Sequence, residues 1–207
     1  DDPTYPLFRI AANLAGAEIA DDDPAVTFCC RPNNPTGALD DLPAARPLIV
    51  DEAYYEYAGE TAAGLIDEGV VVLRTFSKAF GLAGGRVGYA LADADTAAEL
   101  NRRQSPAAIS TLSAALAVAA LADPPEISAQ VEERERLARG LRALGLDPLP
   151  SRTNFLFVPV EDPAELGATL LRSGLVVRIF PDGIRASVLD EHDDDLLPAD
   201  HQVDAVQ

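Results

Sequence analysis

At 207 residues with 48% hydrophobic content, the chain can bury a sizeable core and hold one large domain or about one and a half ordinary ones. Its 34 acidic against 16 basic residues give a formal net charge of −18, and no basic stripe is present to neutralise phosphates, which argues against a nucleic-acid binder. With arginine in place of lysine almost throughout, the balance points to a salt-rich cytosol where screening suppresses self-repulsion.

Asp1-Asp2-Pro3-Thr4-Tyr5 runs straight into a helical pattern over 7–15, and a chain without Met does not read as a natural start. Short, largely β-branched apolar runs follow at 26–30, 48–50, 70–73 and 87–91. They suit strands buried on both faces of a mostly parallel sheet. Cys29 and Cys30 lie in the first run as small buried residues, and being adjacent they give no ordinary disulfide framework. The spacing predicts helices over 93–103 and 110–121; the Ala-rich stretch 107–122 is too short for a membrane span and reads as a buried helix. This alternation marks residues 1–122 as an α/β domain.

Asp123-Pro124-Pro125 punctuates the pattern, and a charged helix with Glu and Arg three and four apart is expected over 126–144. Gly145 and Pro148 end it. A strand over 154–159, a helix after Asp162-Pro163 and a strand over 175–180 form a β-α-β piece, so 123–189 is expected to be a linker helix with a small α+β domain. Residues 190–207 lose periodicity and are expected to be a disordered tail holding both histidines, His192 and His201, with no metal-site spacing. No signal peptide is visible, so a cytoplasmic protein is expected.

Lys78 is the only lysine, in Thr75-Phe76-Ser77-Lys78-Ala79-Phe80-Gly81-Leu82-Ala83-Gly84-Gly85-Arg86. A guanidinium stays protonated and forms no imine, whereas a desolvated amine can lose its proton and attack a carbonyl. Three other segments carry chemistry: Pro3-Thr4-Tyr5, Arg31-Pro32-Asn33-Asn34-Pro35-Thr36-Gly37 and Asp51-Glu52-Ala53-Tyr54. Alone, Asn-Pro-Thr-Gly is a turn and an acid closing a strand is common, because ligands gather at strand C-terminal ends.

In this order the four segments resemble fold-type I aminotransferases that use pyridoxal 5′-phosphate, and histidinol-phosphate aminotransferases in particular, from about Pro3 to Ser187. The resemblance implies that Lys78 forms the imine with the cofactor aldehyde and later shuttles the proton between the substrate's Cα and C4′. It implies that Asp51 keeps the pyridine nitrogen protonated and that Tyr54 and Asn34 hold O3′. Thr75, Ser77 and Arg86 match phosphate anchors, and Tyr5 matches the ring-stacking aromatic. Thr153-Asn154-Phe155 resembles the Asn-Phe strand near the site, while Arg178 and Arg185 match two arginines that grip the anionic end of the substrate. The implied reaction passes the amine of L-histidinol phosphate to 2-oxoglutarate, in a homodimer that binds no membrane or nucleic acid.

Three departures stand beside this likeness. The family's N-terminal small-domain part, phosphate loop and interface tyrosine have no counterpart. The segment 37–48 is short for a crossover, so its helix is trimmed or lost; and the expected Gly-Thr is replaced by Leu189-Asp190-Glu191-His192. The chain is then a piece of a larger enzyme or a decayed copy. A threonine-phosphate decarboxylase-like enzyme, transfer from aromatic or other amino acids, and a non-catalytic remnant remain open alternatives.

Overall fold

The computed structural model describes residues 4–20 and 22–188. The chain divides into two compact units, one made of the chain up to Asn34 together with Leu39–Pro125, the other of Pro35–Ala38 together with the residues from Glu126 onward.

In the first unit, β1 (Thr27–Cys30), β2 (Leu48–Asp51) and β3 (Val70–Thr75) run parallel, and β4 (Gly88–Leu91) returns antiparallel beside β3. The register sets Cys30 opposite Asp51 and Asp51 opposite Leu73, so β1 and β2 end level while β3 runs two residues further, to Thr75. The segments that follow them therefore leave from one edge, the position where open α/β sheets place ligands. Leu48, Val50, Val70 and Val72 are fully buried and pack with Ala62 as the core of the sheet. No helix or strand lies between β1 and β2 among the described residues, in keeping with the short crossover.

Burial on both sheet faces holds for neither outer strand. Phe28 of β1 is 45% exposed, and β4 alternates exposed with half-buried residues, because each edge strand is covered by little of this chain. The Ala-rich helix is also corrected. It forms as α4 (Thr111–Ala122), numbered after α1 (Leu7–Leu14), α2 (Tyr55–Ala58) and α3 (Ala94–Arg103), and is capped by the Ser110 side chain on the Ser113 N–H. Only Ala117 is buried, against Phe76 and Val87. Leu112 stands 72% and Val118 69% exposed, because a helix apolar all round offers one face to its own sheet and leaves the others open.

In the second unit the charged helix α5 (Ser128–Ala143) is followed by β5 (Phe155–Pro159), α6 (Pro163–Arg172), β6 (Arg178–Phe180) and β7 (Gly183–Ser187). Asp162 caps α6 by accepting from the Glu165 N–H at 2.8 Å, with Pro163 at the first helical position. The expected β-α-β arrangement becomes an antiparallel sheet of order β5-β7-β6. Pro181 and Asp182 make a two-residue hairpin loop with Phe180 opposite Gly183, which folds β7 straight back beside β6, and pairing of its other edge with β5 makes it central. The strand expected over 175–180 shortens to its last three residues. Phe155, Leu156, Phe157 and Val158 of β5 are buried with Ile184 as the core.

Gly37 belongs to this unit. Its carbonyl accepts from the Arg152 N–H at 2.8 Å, its φ is +80°, and a Cβ there would lie 2.4 Å from the Ser151 Oγ. Only glycine fits both the backbone conformation and the contact.

Candidate active site

Asp51 closes β2, and its Oδ1 accepts from the Ala53 N–H at 3.0 Å, which turns the chain toward Tyr54. Burial pushes the Asp51 carboxyl above its ordinary range; the Ala53 N–H and the Lys78 charge pull it back less strongly. Tyr54, 3% exposed, opens α2, and the Lys78 Nζ stands 5.5 Å from the centre of its ring. The ends of two parallel strands thus bring together one half-buried acid, one phenol and the only amine side chain. Lys78 itself is exposed.

Asn34 lies where the loop after β1 curls over the strand end. Its N–H reaches the Cys30 thiol, and that thiol also meets the Pro32 carbonyl at 3.4 Å. Burial, with Asp51 nearby, pushes the Cys30 thiol up to about 12. Cys29, by contrast, is only half-buried, short of the burial expected of it. Thr4 donates to the Asn33 Oδ1 at 3.1 Å, which ties the Tyr5 segment to the same loop. The Tyr5 ring meets Phe8 edge-on at 5.9 Å.

After β3, the Thr75 Oγ1 accepts from the Ser77 N–H at 3.1 Å, holding both hydroxyl residues in one tight turn ahead of Lys78. Arg86 has left-handed backbone at φ +51°, is exposed, and donates to the Ala83 carbonyl at 3.0 Å. In the second unit Asn154 precedes β5 and its carbonyl accepts from the Val188 N–H at 2.7 Å. Arg178 and Arg185 are register partners across β6 and β7, and the Arg185 guanidinium lies 4.8 Å from the centre of the Phe155 ring. The tail expected over 190–207 with both histidines, the Leu189-Asp190-Glu191-His192 segment and Pro3 lie outside the described residues.

Sequence reasoning missed the ion pair beside the acid. Glu52, 1% exposed, accepts from the Ala62 N–H at 2.6 Å, the Thr61 hydroxyl at 2.8 Å and the Arg74 Nε at 3.1 Å. Arg74 covers the Tyr55 ring at 3.5 Å. The signal was an arginine interrupting the apolar strand one residue before Thr75.

A family model described as aminotransferase class I and II matches residues 17–195. Among curated proteins, the chain is 39% identical over 194 residues to an aromatic amino acid aminotransferase of Nocardia farcinica, covering 82% of this chain and 54% of that protein. It is 35% identical to a histidinol-phosphate aminotransferase of Caldanaerobacter subterraneus subsp. tengcongensis, covering 86% and 60%. The chain thus spans little more than half the length of these relatives. Among solved structures, histidinol-phosphate aminotransferase of Sinorhizobium meliloti, in complex with pyridoxal-5′-phosphate, superposes with a TM-score of 0.79 at 29% identity, over 93% of this chain and 66% of that one.

The chain belongs to the class I and II aminotransferase family and has its fold-type I architecture. The family's cofactor is pyridoxal 5′-phosphate, and the residues present fit it. A partly desolvated carboxylate suits a cationic ring nitrogen, a phenol stands beside it, and paired hydroxyls precede the amine while an arginine follows it.

Proposed function

We propose that the chain carries the cofactor-holding and C-terminal parts of an aminotransferase that moves the amine of L-histidinol phosphate to 2-oxoglutarate. The observation that carries this reading is the meeting of Asp51, Tyr54 and Lys78 beyond the C-terminal ends of β2 and β3. Thr75, Ser77 and Arg86 would hold the cofactor phosphate, Tyr5 would cover the ring, and Asn34 and Tyr54 would hold its phenolic oxygen by hydrogen bonds. Asp51 keeps a proton on the ring nitrogen. When bound, pyridoxal phosphate supplies an electron sink for the pair left at the substrate's Cα. Lys78 Nζ would take the proton from the substrate's Cα and deliver it to the cofactor's C4′. Asn154 would line the substrate site, and Arg178 with Arg185 would hold an anionic end, which histidinol phosphate and 2-oxoglutarate both possess.

A second reading, transfer from aromatic amino acids, is favoured by the 39% identity to the Nocardia protein of that name. A threonine-phosphate decarboxylase from Porphyromonas gingivalis, 20% identical, shares the fold alone. Purified protein given cofactor and then borohydride should yield one labelled peptide, containing Lys78. A label elsewhere, or none even from a longer parent chain, rejects the catalytic reading in favour of a remnant. Rates with histidinol phosphate, phenylalanine and threonine phosphate, the last followed by carbon dioxide release, then separate the substrates.

A further inference from the structure

In the second unit, α5 and the segment leading into β5 line an open cavity of about 270 Å³ whose polar lining is Arg134, Glu135, Arg142, Ser151 and Arg152. We propose that this cavity is a binding site for a small organic dianion, a phosphate monoester or a short dicarboxylate, in addition to the site around Lys78.

Charge carries the argument. Glu135 is already held by the Arg134 guanidinium, whose Nε and Nη2 both donate to its Oε1, at 3.1 and 2.9 Å. Arg134, 5% exposed, also donates to the Thr153 carbonyl at 2.8 Å, so it is fixed as a wall of the cavity. Arg142 and Arg152 form no ion pair among the described residues. In a chain with 34 acids and 16 bases, two cations on one cavity without an acid of their own form a local positive field. Such a field concentrates anions and orients them. Forked guanidinium donors match carboxylate and phosphate oxygens.

The rest of the lining sets size and shape. Ala138, Leu149 and Leu156 give an apolar floor, which suits a short carbon body between or beside the charged ends. The volume, just below the usual range of small-ligand sites, suits a short anion. Ser151 adds a hydroxyl already fixed by its partner Thr153 at 2.8 Å.

The test is calorimetric titration of the intact chain with inorganic phosphate and, separately, with succinate. Three proteins are compared: the parent, the double variant Arg142→Ala/Arg152→Ala, and Arg86→Ala, which reports on phosphate binding near Lys78. One saturable site is expected for at least one probe. It weakens at least about tenfold in the double variant, as loss of charged hydrogen bonds implies, and persists in Arg86→Ala. Circular dichroism of the double variant should match the parent, since both side chains are exposed. Phosphate alone binding marks a phosphomonoester site, and succinate alone a dicarboxylate site. Loss in Arg86→Ala, unchanged binding in the double variant, or no saturation by about 10 mM of either probe overturns the proposal.

Discussion

Arg178 and Arg185 stand directly opposite each other across the β6–β7 ladder, two cations on one face of a three-stranded sheet. Like charges so placed oppose folding. An anion between them would reverse the sign, so stability and binding should respond in opposite directions when one is removed. Arg178→Ala should leave the melting temperature unchanged or slightly raised. In a transaminating parent chain it should raise the KM for 2-oxoglutarate by about tenfold or more, as expected for one charged hydrogen bond. Calorimetry and steady-state rates read the two effects. A lowered melting temperature with an unchanged KM would assign the pair to the fold alone.

The Glu52–Arg74 pair should respond more sharply. Arg74→Ala leaves a fully buried carboxylate with only the Ala62 N–H and the Thr61 hydroxyl. A loss of about 3–5 kcal/mol in urea unfolding is expected, as for other broken buried pairs. An effect below about 1 kcal/mol, as at exposed pairs, would contradict the burial.

Two glycines make a matched pair of expectations. Gly37→Ala places a methyl on Ser151 at φ +80°, and a destabilisation of about 1–3 kcal/mol follows. Gly140 lies inside α5 with nothing within 4 Å of its Cβ position, so Gly140→Ala should stabilise by about 0.5–1 kcal/mol. Opposite shifts in chemical denaturation check both.

The buried thiol gives a pH dependence. Cys30 titrates at about 12 in the folded chain against a reference of 9.0. Since the folded value is raised, the contribution is fully present below pH 9.0 and is lost as pH climbs toward 12. Cys30→Ser, which has no thiol to ionise, should lose less stability than the parent across that window. Parallel curves for the two proteins would show that the thiol is not buried in solution.

The open faces of α4 and the net charge of −18 together set the response to salt. Salt screens the repulsion and strengthens apolar association. Sedimentation across a salt series should show self-association that grows with salt and disappears in Leu112→Asp/Val118→Asp. A monomer at every salt concentration counts against it.

The regular elements were legible where local signals and packing agree. Asp93, Ser110 and Asp162 stand at the starts of three expected helices, and in the structure each caps its helix. The lysine segment and the acid at the end of β2 were legible because strand ends determine where their loops emerge. Three features were hidden. Exposure of α4 depends on what covers a helix, which an all-apolar pattern does not encode. The central place of β7 follows from a two-residue hairpin to β6 and a long-range pairing with β5, neither of which apolar periodicity encodes. Glu52 was masked by its neighbour Asp51, because adjacent acids read as one polar strand end although their partners differ completely.

Since Asn34 belongs to one unit and Pro35–Ala38 to the other, the chain changes unit three times: after Asn34, after Ala38 and after Pro125. No single cut therefore yields either unit whole. A product ending at Pro125 would strand the Gly37 carbonyl without Arg152, and a product starting at Glu126 would lack the loop that Ser151 packs against. Exchanging either unit with a relative would need all three junctions, the tetrapeptide 35–38 moving together with the residues from Glu126 onward, which makes the fold resistant to simple gene fusion at the Asp123-Pro124-Pro125 boundary.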